Sequence, residues 1–173
     1  TVATPSGPQQ TQPAVALAAD GGALVAWTVG GVDVEAQRFD AKGKPVDVPF
    51  HLPAKELGKH SEPALASVAG GFVAGWRGPG STSDVVVLQR LDASGQPNGT
   101  ETQATSTLVK QQGLALGTQG SQVVACWQAW AAGGSSHWDV TCRLFAAATL
   151  VPAGPEFSPH AAATTDQTAP TVA

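Results

Sequence analysis

The sequence predicts an all-β fold assembled from four-stranded antiparallel repeats, and three observations carry that expectation. First, QPAVALAADGGALVAWTVGGVDVEAQRFDAKGKPVDVPF, anchored on Pro13, Trp27 and Arg38, returns as EPALASVAGGFVAGWRGPGSTSDVVVLQRLDASGQPNGTETQA, anchored on Pro63, Trp76 and Arg90. A looser third copy runs from Gln112 through Trp127 and Arg143 to Phe157, and the closing TAPTVA sets Pro170 and Val172 where Pro13 and Val15 stand. A fixed period of about 50 residues marks a repeat architecture, in which a unit that cannot bury both of its own faces stacks on its copies. Second, Gly and Asp punctuate the copies at fixed places. Third, the runs between them alternate small or apolar residues with polar ones, the period of two that a strand requires.

In the first copy, Ala14 to Ala18 and Ala23 to Thr28 are strand-forming runs around Asp20-Gly21-Gly22, a tight-turn sequence. Gly30 and Gly31 break the chain before a third strand, Asp33 to Phe39. The segment Asp40-Ala41-Lys42-Gly43 then reverses it into a fourth, Val46 to Phe50. Asp40 can accept hydrogen bonds from backbone N–H groups of that turn, and Gly43 can take the positive φ of a bulge. The second copy repeats this punctuation at Gly70-Gly71, at Gly78 and Gly80, and at Asp92-Ala93-Ser94-Gly95; the third has AAATL in that last place, which predicts an irregular final hairpin. Ala54 to His60 reads as a loop. The frame is one domain over 1–173 with repeats at 12–61, 62–111 and 112–166, and with 1–11 and 167–173 as the outer and inner parts of a split unit.

Trp27, Trp76 and Trp127 close the second strand of each copy, where one large ring per unit supplies packing between sheets. Arg38, Arg90 and Arg143 align one strand later; the first two precede an Asp by two residues and are placed to brace the turn or to reach a neighbouring sheet. The same alignment sets Cys126 where Ala26 and Gly75 stand, and Cys142 where Gln37 and Gln89 stand. These positions flank the hairpin symmetrically, so the two thiols are expected to face each other across neighbouring strands and form a disulfide.

Four-stranded units of this length build β-propellers, in which about four to eight blades surround a channel. A β-trefoil also has three four-stranded units and is the alternative, but it leaves no place for a partial repeat at the end. Three blades and a fraction do not close a ring, and open end blades expose apolar faces and strand edges. Completion to a ring of six or seven blades is therefore expected from a second copy of the chain or from the remainder of a longer one. The pattern Pro…Gly-Gly…Trp…Gln-Arg-Phe/Leu-Asp-Ala-x-Gly, seen in QPAVALAADGGALVAW and EAQRFDAKG, resembles repeats found in tandem in large bacterial extracellular and cell-surface proteins and in bacterial β-propellers. That resemblance implies a secreted or surface-exposed binding or scaffolding module and carries no fixed activity.

Composition narrows the function classes. The net charge is −4, only 13% of residues are charged, and Lys and Arg are scattered, so the clustered basic face of a nucleic-acid binder is missing. No apolar run reaches the roughly 20 residues of a membrane span. Thr1 in place of Met leads us to expect a cleaved N-terminus, and the disulfide an oxidising compartment. No nucleophile elbow, phosphate loop, zinc-protease helix or calcium loop is present, and His51, His60, His137 and His160 are scattered without metal-ligand spacing; no cofactor or metal is expected. Asp33, Asp84 and Asp139 recur at the start of the third strand and read as turn caps. The exception to the scaffold is QAWAAGGSSHWDV, which puts Trp130, His137 and Trp138 in a hairpin that has no aromatics in the other copies. Exposed Trp beside polar groups suits a sugar or a protein partner. Three functions follow: a non-catalytic extracellular binding or scaffold module, a hydrolase or lyase with its site in a propeller channel, or a purely structural self-assembling unit.

Overall fold

The computed structural model describes residues 7–53, 59–106, 109–131, 137–161 and 165–172. Most of the 54–60 loop, the 132–136 hairpin tip and residues 1–6 lie outside the described residues. All regular elements among the described residues are strands. β1 (Gln10–Leu17), β2 (Ala23–Val29), β3 (Asp33–Phe39) and β4 (Phe50–Leu52) form one antiparallel sheet in that order. A second follows with β5 (Ser61–Val68), β6 (Gly71–Gly78), β7 (Val85–Asp92) and β8 (Thr102–Gln103), and a third with β9 (Gln111–Gln119), β10 (Gln122–Ala131) and β11 (His137–Ala146). No strand of one sheet pairs with a strand of another among the described residues, so the hairpins share no barrel and the β-trefoil alternative falls away. Among the described residues the three sheets do not close a ring.

The sheets stack in sequence order, and strand alternation decides which residues meet. The forward face of the first sheet, with Leu24, Ala26, Val34, Ala36 and Leu52, packs on the rear face of the second, with Leu65, Phe72, Ala74, Trp76 and Leu91. The forward face of the second, with Ala66, Val73, Val86 and Leu88, packs in the same way on Leu116, Val123, Ala125, Trp127 and Phe145 of the third. Trp76 and Trp127 are 1% and 0% exposed, each the largest group in one of these seams. Removing such a ring costs about 3–5 kcal/mol. Trp27, also buried, lies on the rear face of the first sheet.

Two hydrogen-bond series stitch the stack. At one end each first strand carries a bulge with a left-handed residue, Gln12 (φ 53°), Glu62 (φ 56°) and Gly113 (φ 65°). Gln12 Oε1 accepts from the Thr28 hydroxyl at 2.8 Å and from the Glu62 amide of the next sheet at 3.3 Å, and Glu62 Oε2 accepts from the Gly113 amide of the sheet after that at 2.5 Å. Elsewhere Arg38 donates to Ala93 O of the second sheet at 3.3 Å while its other amines bind Ala23 O at 3.2 Å, Phe39 O and both Asp20 oxygens at 2.8 Å. Arg90 repeats the reach, donating to Ala147 O of the third sheet at 2.8 Å. Asp40 and Asp92 cap their turns as expected, accepting from Lys42 and Lys44 and from Ser94 and Gln96. Gly43 and Gly95 take positive φ of 75° and 88°.

Several expectations are corrected. The alignment of Arg143 with Arg38 and Arg90 is off by one residue. Phe145 pairs with Val123 as Phe39 pairs with Ala23 and Leu91 with Phe72, so Leu144 holds the place of Arg38 and Arg90. Arg143 holds the place of Gln37 and Gln89 and has their partner: its Nε donates to Gly154 O at 3.1 Å, as Gln37 donates to Asp47 O at 2.7 Å and Gln89 to Gly99 O at 3.4 Å. One residue moves a side chain to the other face of a strand, so Arg143 reaches back, to Ala104 O of the second sheet at 3.1 Å, instead of forward. The fourth strand of the first sheet is Phe50–Leu52 and not Val46 to Phe50, because Pro45 and Pro49 have no N–H for a ladder, and Val48 is 79% exposed. The third sheet has three strands; its fourth is reduced to bridges of Phe145 with Pro152 and Cys142 with Phe157. Gln10 and Thr11, outside the first repeat by period, belong to β1 and pair with Val29 and Thr28.

Two outcomes check these assignments. Arg38→Gln should lose about 2 kcal/mol of stability in denaturant melts, since it removes a buried guanidinium that bonds three carbonyls and the Asp20 carboxylate, while Arg143→Gln, which restores the residue of the other two sheets, should stay within about 1 kcal/mol of wild type. The Asp20 carboxyl is held below its ordinary range first by the Gly22 amide and then by the Arg38 guanidinium. A carboxyl depressed on folding stabilises above its unfolded pKa and loses that contribution as pH falls through its folded pKa. Asp20→Asn should therefore lower Tm at pH 7, with the difference from wild type closing as pH falls below the ordinary carboxylate range.

Candidate functional site

The hairpin of β10 and β11 departs from the scaffold. The paired register of β2 with β3 ends at Val29 and Asp33, and that of β6 with β7 at Gly78 and Val85. The third hairpin passes the equivalent pair, Ala129 with Asp139, and continues to Trp130 with Trp138 and Ala131 with His137. These two extra pairs overhang the stack. Trp130 and Trp138 sit edge to face, ring centroids 5.2 Å apart at 74°, and both are half-buried. His137 lies on the other face, its Nε2 3.4 Å from Asp139, and His160 brings its Nε2 to 3.9 Å from the same carboxylate. Sequence spacing gave no signal for that meeting, because His160 arrives from the segment after the sheet. No group of three ligating side chains suited to a metal is found among the described residues.

Beside the overhang a groove of about 410 Å³ opens between the second and third sheets. Trp138 borders it together with Arg77, Ser83 and Asp84 of the second sheet and Lys110 and Gln112 at the start of the third. Arg77 stands 3.4 Å from Glu62 and 3.6 Å from Asp84, so two carboxylates face one guanidinium, and Lys110 in the same lining brings the formal charge of the groove to zero. Asp84 thus serves an ion pair where the sequence suggested a turn cap, and Asp139 serves the two imidazoles. A larger cavity of about 540 Å³ lies where the turns after β1, β5 and β9 converge, but its lining carries only Asp20 and Arg38 as charged groups, bonded to each other. That lining offers no second carboxylate to share acid and base roles.

The remaining predicted residues hold the site in place. Cys126 and Cys142 are directly opposite in the register and joined in a disulfide with Cα atoms 4.1 Å apart, at the positions of Ala26 with Ala36 and of Gly75 with Leu88, so Cys142, like Arg143, stands one residue from the place of Gln37 and Gln89 that the alignment of the copies gave it. The bond crosses the two strands that extend into the overhang. Trp127 anchors the base of β10 in the seam with the second sheet, and Arg143 ties β11 to both Gly154 and Ala104.

No family model and no curated protein matches the chain. It is similar to a solved structure named "Glycoside hydrolase", with a TM-score of 0.55 and 12% identity over 88% of this chain and 35% of that one. The likeness is one of fold, and this chain spans about a third of the length of that neighbour.

Loss of the disulfide should cost about 3 kcal/mol, the entropy of a loop closed across a separation of 16 residues. Denaturant melts with and without reductant measure this, and a cost below about 1 kcal/mol would show that the hairpin holds itself without the bond.

Proposed function

We propose that the chain is a secreted or cell-surface binding module built of β-propeller blades, and that it takes a neutral glycan at the Trp138 groove. The observation that carries this reading is the pairing of an overhanging aromatic with a charge-balanced, hydrogen-bonding groove. A sugar offers an apolar face to stack on an indole and hydroxyls to donate and accept around its rim. Trp138 supplies the stacking surface, Trp130 braces it from the side, and Gln112, Ser83, Lys110 and Asp84 supply the polar rim. Because Arg77 and Lys110 are balanced by Glu62 and Asp84, the groove has no strong preference for an anion. The fold neighbour's name, a glycoside hydrolase, agrees with a carbohydrate context, and the disulfide agrees with an oxidising compartment. The repeat resemblance points to the same surface-exposed setting.

Binding is tested by a glycan array followed by calorimetry on the hits. Trp138→Ala should weaken binding to a neutral oligosaccharide at least about tenfold, with Trp130→Ala less severe, and neither should change the melting of the three sheets by more than a few degrees. Equal affinity of Trp138→Ala and wild type, or no response to any neutral glycan, overturns the reading.

A further inference from the structure

The two outer faces of the stack are unequal partners of the seams inside it. On the rear face of the first sheet, Val15 is 62% exposed, whereas Leu65 and Leu116 at the same position are 8% and 9% exposed. On the forward face of the third sheet, Val124 and Val140 are half-buried, whereas Leu24 and Val73, and Val34 and Val86, at the same positions are 0–1% exposed. The forward face already carries the beginning of its cover.

Residues 167–172 adopt the geometry that opens a sheet. The Gln167 amide donates to Trp138 O at 2.6 Å, as the His60 amide, also three residues before a Pro, donates to Val32 O at 2.7 Å ahead of β5. Ala169 has φ 53°, the left-handed conformation of Gln12 and Glu62, and like them it precedes a proline. Val172 packs on Gly117 so closely that a side chain at Gly117 would collide with it. Gly117 holds the position of Ala16 and Ala66, the residues that share their seams with Leu65 and Leu116. In conformation, tether and contact, then, residues 167–172 match the start of β5.

We propose that residues 167–172 are the first strand of a fourth sheet, and that the third sheet's forward face with this strand on it is a seat for a β-hairpin of the chain's own β2–β3 type. The hairpin would add to the free edge of residues 169–172 and lay its Trp against Val124, Val140 and the disulfide, as Trp76 and Trp127 lie against the sheets before them. The overhanging Trp130 and Trp138 extend past the length of such a hairpin. The seat therefore stands beside the glycan groove and does not depend on that reading. A second copy of the whole chain fits the seat less well, because its β1 would need the place that Val172 holds.

Appending a copy of residues 17–52 directly after Ala173 continues the repeat frame and supplies the hairpin. Hydrogen–deuterium exchange should then slow at least about tenfold both in 169–172 and in the appended strands, and Val172→Asp in the extended chain should remove that protection while β1–β11 stay protected. Exchange of the appended strands at the free-chain rate with Val172 intact overturns the proposal. So does a wild-type dimer in light scattering that Leu17→Asp dissociates, because a second copy would then occupy the seat.

Discussion

Each sheet is wide enough to have two buried faces and too thin to bury either one alone. A four-stranded sheet of small and aliphatic residues gains stability only when the next sheet removes its apolar area from water, at about 25 cal/mol per Å². Everything regular in the chain serves that contact. The tryptophan at the end of the second strand fills the seam with the sheet before it, small residues such as Ala26, Ala36 and Gly75 on the opposite face make room for the sheet after it, and the tight turns keep each sheet short enough to be covered.

Polar groups then fix how the sheets are rotated and spaced. Apolar packing is non-directional, but Gln12 and Glu62 each hand a side-chain oxygen to the bulge amide of the following sheet, and Arg38 and Arg90 each reach a carbonyl of the following sheet at another edge. The Arg38 guanidinium also lies 5.8 Å from the Phe72 ring of the next sheet. The third sheet lacks this forward arginine, with Leu144 in its place, and its own arginine points backward. Its forward face is thus apolar at the position where the others are charged, and the disulfide replaces the Ala–Ala and Gly–Leu pairs at its centre.

The departure of the molecule from its own repeat comes from extending one hairpin beyond the stack. Inside the seams every aromatic is consumed by packing. Two further residue pairs on β10 and β11 carry Trp130, Trp138 and His137 past the last paired residues of the other two hairpins, where the half-buried Trp138 borders the groove formed with Arg77, Asp84 and Lys110. The disulfide and Trp127 anchor the strands that bear them, so a rigid element, not a loop alone, presents the aromatic pair.

The sequence by itself determined the all-β class, the turn positions at Asp40 and Asp92, the burial of the repeated tryptophans and the meeting of Cys126 with Cys142, because each follows from period, turn chemistry or hairpin symmetry, all local properties of the chain. Asp33 to Phe39 was legible as a strand to the residue; Val46 to Phe50 was not, since two prolines decide where a ladder can begin and apolar content does not show it. Of the site, the aromatic hairpin was visible as a departure from the repeat. The convergence of His160 on Asp139 and of Glu62 and Asp84 on Arg77 was invisible, because it joins separate segments through space. Only the tertiary structure decided that Arg143 is the equivalent of Gln37: similarity of residue type aligned it with Arg38, whereas the register of β11 on β10 places it one residue away, and in a strand one residue is the difference between the two faces.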